Sequence, residues 1–158
     1  MSTYPIPSAA QVKDLLGMLF DGMAVKPASK LDMSAASTSY VGVYISDGGE
    51  PVALCACSLD FAAAAGAALS ILPPNAVKDA VKAKTLPAPM QDNLRELMNI
   101  CTRLLIKDGS PHLRLQEVHP AKSLPAPAAA IAVAATGRAD FEVALGRYGS
   151  GVLSVMAM

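Results

Sequence analysis

Charge is what this sequence has least of. Of its 158 residues only 16% are charged, and the 13 acidic residues balance the 13 Lys and Arg. A neutral chain offers a polyanion little to hold, which argues against a nucleic-acid partner. No stretch reaches 18 apolar residues without Asp, Arg, Lys or Pro, so no membrane-spanning helix is expected. The opening MSTYPIPSAAQVKD lacks a basic start followed by an apolar core, so it does not read as a signal peptide. Cysteine is sparse and odd in number. Cys55 and Cys57 sit two apart on an expected strand, where side chains share a face but do not bond easily. Reduced, buried thiols in a cytoplasmic protein are the simplest account. His112 and His119 have no Cys or carboxylate partners at ligand spacing, so no metal ligand is expected. Neither a Gly-x-Ser-x-Gly nor a P-loop occurs, and Gly146, Gly149 and Gly151 read as turn glycines.

What is present is apolar surface in quantity. At 53% hydrophobic, the chain has the material for one domain over residues 1–158. A chain this long buries about 70% of its unfolded surface and needs no metal or disulfide. Ser8-Ala9-Ala10-Gln11 has the form of a capping box, and Val12, Leu15, Leu16, Leu19, Phe20 and Met23 continue it as a helix over 9–23. Residues 26–37 read as irregular. A β-hairpin is expected from 40–46 and 51–58 about Asp47-Gly48-Gly49-Glu50. Asp60 is placed to cap an Ala-rich helix over 61–71, which Pro73 and Pro74 stop, and a short basic helix follows over 75–84. Later strands are expected around Leu113–Val118, over 129–135, through Phe141, Val143 and Leu145, and over 152–158. The sum is an α+β fold, five or six mostly antiparallel strands with helices packed on one face.

The stretch 90–107, MQDNLRELMNICTRLLIK, organises the rest. Leu94, Leu97, Met98, Cys101, Leu104 and Leu105 make an apolar stripe at helical spacing. Asp92, Glu96, Asn99 and Arg103 lie opposite. At ~100° per residue these four fall within roughly 60° of one another. A solvated helix face uses the same residue types, and an Asp in the first helical turn also suits the dipole.

Asp92-x-x-x-Glu96-x-x-Asn99 resembles the active-site helix of the CheC/CheX/FliY phosphatases of bacterial chemotaxis, most closely the single-motif CheX-like proteins. The resemblance extends to the order of elements over residues 8–158. It implies a CheX/CheC-like two-layer fold, with helix 9–23 as a degenerate counterpart of the motif helix. It implies hydrolysis of the aspartyl phosphate of a CheY-type receiver, with Asn99 orienting the water and Glu96 docking against the receiver's Lys. Asp92 and Arg103 would add binding contacts. No cofactor of the chain's own is implied, the Mg²⁺ being the receiver's. Small residues, often Gly, follow the family's Asn, whereas here the run is Ile100-Cys101-Thr102-Arg103. That departure keeps a second reading open, a non-catalytic interaction or dimerisation module of the same fold. A homodimer is also expected, because the run 152–158 ends without a charged gatekeeper and reads as a sheet edge needing cover.

Overall fold

The computed structural model describes residues 3–34 and 37–158. Six strands form one antiparallel sheet: β1 (Met23–Pro27), β2 (Tyr40–Ser46), β3 (Pro51–Cys57), β4 (Leu113–Pro120), β5 (Gly137–Leu145) and β6 (Ser150–Ala157). Their spatial order is β1-β5-β6-β3-β2-β4, and every neighbouring pair is antiparallel. The helices are α1 (Ala9–Leu16), α2 (Leu59–Leu69), α3 (Asn75–Ala83), α4 (Ala88–Ile100) and α5 (Ala126–Ala134).

Strand alternation sends Tyr40, Tyr44, Cys55, Cys57, Phe141, Val143, Leu153 and Val155 to one face. The four helices α1 to α4 form the second layer over that face, with the stripes of α1 and α4 in the same core. This is the expected two-layer α+β architecture. Buried α2 packs on β6 and alongside α4. Gly66 makes that approach possible: a Cβ there would stand 3.0 Å from the Cβ of Met90.

The order of strands reveals an internal pseudo-twofold. In one half α1 and β1 lead into the β2–β3 hairpin; in the other, α4 and β4 lead into the β5–β6 hairpin. Each lone strand pairs with the other half's hairpin, and β3 meets β6 at the centre. The suspected counterpart of the 90–107 helix, α1, accordingly packs on β1 as α4 packs on β4.

Several expectations change. The capping box forms, with Gln11 N–H on Ser8 Oγ and Ser8 N–H on Gln11 Oε1. The helix ends at Leu16, however, not at 23. Phe20 reaches the core from a turn, and Gly22, at φ +64°, swings the chain into β1. Residues 23–27 are therefore a strand. Of the stretch 26–37 expected to be irregular, residues 28–34 and 37 form no helix or strand, and Ala35 and Ala36 lie outside the described residues. Ser58, not Asp60, caps α2, accepting the Phe61 N–H at 3.2 Å.

The expected strand over 129–135 is helix α5. Ala126–Ala135 contains no polar residue, and an apolar run without alternation does not distinguish strand from helix. Alanine's helix propensity and Pro127 in the first turn settle it. Ala128 and Ile131 cover Val41, Val43, Leu54, Ala56 and Met156 on the sheet's other face. The final run is not an edge either. β6 lies between β5 and β3 and is buried on both faces from residue 153 to 157, and the edges are β1 and β4.

Candidate functional site

Helix α4 begins at Ala88, two residues before the expected start, because Pro89 enters its first turn instead of breaking the chain. Asp92 consequently lies in the second turn, beyond the reach of the positive helix end, and the dipole no longer accounts for it. Met90, Leu94, Leu97 and Met98 are buried. Asn93 fastens the helix to α2, donating to Gly66 O at 2.9 Å and Ser70 Oγ at 2.6 Å. The polar face is thereby held outward.

Asp92, Glu96 and Asn99 are all exposed and open on one cleft of about 260 Å³, completed by Arg95 and by Leu115 of β4. Arg95 bridges to Glu117 on β4 through Nη1 and Oε1. Glu117 Oε1 also accepts the Val118 N–H at 3.0 Å. The one cation lining the cleft is thus engaged from outside it. Asp92 and Glu96 have no ion pair among the described residues, so the cleft is acidic.

Arg103 does not line this cleft. The α-helical bonding ends with Cys101 N–H on Leu97 O, and Cys101–Leu105 is a 3₁₀ helix. At ~100° per α-residue Arg103 would project roughly 40° from Asn99, but ~120° steps after Ile100 carry it to roughly 100°. The sequence pattern reads 90–107 as a single α-helix and does not register that change.

Elsewhere the chemistry is closed or structural. Cys55, Cys57 and Cys101 are free and buried. Contact with Cys101 and burial push the Cys55 thiol well up, and burial does the same to Cys57, so neither is a nucleophile. His112 pairs with Asp47 at 2.7 Å on the surface, tying the hairpin turn to the start of β4. No cluster of His, Cys, Asp or Glu suited to a metal ion occurs among the described residues, and no helix there is long and apolar enough to cross a membrane. Sequence reading does not find the part played by Glu117 or Leu115, since it has no signal for which strand adjoins the helix.

No protein family matches the chain, and no curated protein is similar to it. Two solved structures are similar. The FliM middle domain from H. pylori shares 10% identity, with TM-score 0.47, over 94% of this chain and 82% of that one. The FliM middle domain from Vibrio alginolyticus shares 9% identity, with TM-score 0.41, over 94% and 86%. At that level of likeness nothing about function passes from those domains to this chain.

Proposed function

We propose that this chain is a protein-interaction module that receives a cation-bearing partner on the polar face of α4, the partner being a receiver domain of CheY type in chemotaxis or two-component signalling. The observation that carries it is the pair of carboxylates, Asp92 and Glu96, one turn apart in a single cleft with no free cation of its own. The buried stripe beneath them fixes their position before a partner arrives, which lowers the entropic cost of docking. A partner Lys placed there gains two charges of opposite sign without displacing one.

A second reading, a CheX-like phosphatase, is favoured by one further observation: Asn99 shares the cleft with Glu96. A receiver's aspartyl phosphate is an activated acyl phosphate. Its hydrolysis needs a water in line with the leaving carboxylate oxygen, while the receiver's own Mg²⁺ and Lys stabilise charge. An amide both donates and accepts hydrogen bonds, so Asn99 can hold that water. Glu96 pairs with the receiver Lys and fixes the helix in register. No covalent intermediate forms on this chain.

Capture of a receiver, combined with the decay of its phosphate, tests both readings. The module predicts capture by wild type, lost in Glu96→Ala, with unchanged phosphate lifetime. The phosphatase predicts a lifetime shortened by wild type and restored by Asn99→Ala while capture persists. Failure to capture receivers at all overturns both.

A further inference from the structure

The Tyr44 side chain, fully buried in the middle of β2, donates its hydroxyl hydrogen to the Met98 carbonyl at 2.5 Å. Met98 O is the first carbonyl of α4 beyond the one that accepts Cys101 N–H, and in a continued α-helix it would receive the Thr102 N–H. Where Tyr44 takes it, the chain changes to 3₁₀ geometry. Thr102 bears the consequence: its Oγ1 is buried and has no hydrogen-bond partner among the described residues. A threonine in an α-helix can satisfy that hydroxyl on the carbonyl four residues back, which is again Met98. Three donors, the Tyr44 hydroxyl and the Thr102 amide and hydroxyl, therefore compete for the two lone pairs of one carbonyl oxygen.

We propose that Tyr44 is a positioning residue, whose hydrogen bond to Met98 ends the α-helix beside Asn99 and so keeps Arg103 off the acidic cleft. Without it, α4 continues through Leu105. Arg103 then turns back by roughly 60° to lie one turn above Asn99, as i, i+4 neighbours do. Its guanidinium would lean down the axis toward Glu96, roughly 10 Å away, and compete there with a partner's cation, while Asp92, roughly 16 Å down the axis, stays beyond its reach. Burial keeps the Tyr44 phenol protonated at all ordinary pH, so the donor is always present. A 3₁₀ segment at the end of a helix is a common place for such a switch of geometry.

The test compares wild type with Tyr44→Phe, which keeps the ring and removes the hydroxyl. Nuclear magnetic resonance reads backbone carbon shifts over Cys101–Leu105 and amide exchange at Thr102 relative to Leu97. In the variant the carbon shifts should move to α-helical values. Thr102 exchange should slow by about tenfold, the effect of one added hydrogen bond, and a contact between the Arg103 and Asn99 side chains should appear. A lower Tm with unchanged shifts over Cys101–Leu105 would mean that the hydroxyl only adds stability, and would overturn the proposal. Should Tyr44→Phe fail to fold, Thr102→Val decides. An idle hydroxyl replaced by a methyl leaves Tm unchanged or raised, whereas a clear fall in Tm shows that the hydroxyl is bonded and overturns the competition. These readings need no partner, so their failure is distinct from failure of the docking assignment.

Discussion

Asp140 shows how a single residue ties an irregular segment to the sheet. Its side chain is 5% exposed, and its carboxylate accepts from Arg138 Nε at 2.9 Å and from the Leu31 N–H at 2.8 Å. Burial alone would raise its pKa. The hydrogen bonds from Arg138 and Leu31 and the charge of Arg138 outweigh that and hold the carboxyl below its ordinary value of 3.8. The folded state therefore favours the ionised form. That stabilisation is complete above the ordinary carboxylate range and is lost as pH falls through the folded value. Asp140→Asn should cost roughly 1.5–3 kcal/mol at neutral pH, the worth of hydrogen bonds to a charged group. The difference from wild type should shrink in acid, where the wild-type carboxyl is protonated too. Thermal melts of both proteins from pH 7 down to pH 3 check this, and a gap that persists unchanged in acid would show that charge is not the cause.

At the scale of the element, α4 was legible because its two faces are written at one period. Leu94, Leu97 and Met98 went inward and Asp92, Glu96 and Asn99 outward as their spacing demands. Leu97→Ala should cost about 2–5 kcal/mol as a buried truncation. Glu96→Ala and Asn99→Ala should each stay within about 0.5 kcal/mol as exposed changes. Denaturant melts separate the two classes, and a large loss from Asn99→Ala would remove that residue from any surface site. The end of the helix was not legible, because Cys101, Leu104 and Leu105 suit α and 3₁₀ packing alike, and the deciding group, Tyr44, lies far away in sequence. α5 was illegible for a related reason: Ala126–Ala135 has no polar residue to set a period. The hairpin of β2 and β3 was legible because its turn residues lie between two apolar runs, the first rich in β-branched and aromatic residues.

For the whole molecule the pairing of strands was beyond the sequence, and it changes where a second copy can bind. A homodimer, which we propose from the low charge and the apolar strands, was expected at the C-terminal run, but β6 is enclosed between β5 and β3. Among the described residues, edge-to-edge pairing has β1 and β4 to use. β1 is five residues long and ends at Pro27, which has no N–H to offer, and its Lys26 is held by Glu142 at 2.9 Å. β4 is eight residues long and also ends at a proline, Pro120, but the obstacle within its length is a carboxylate, Glu117, seated on the Val118 N–H and held there by Arg95. A dimer through β4 must displace that carboxylate, whereas a dimer through β1 is indifferent to it. Glu117→Ala should therefore raise the dimer fraction in sedimentation equilibrium at a given concentration if β4 is the interface. An unchanged dimer fraction would move the interface to β1 or off the sheet. A monomer for both proteins at high concentration would refute self-association altogether.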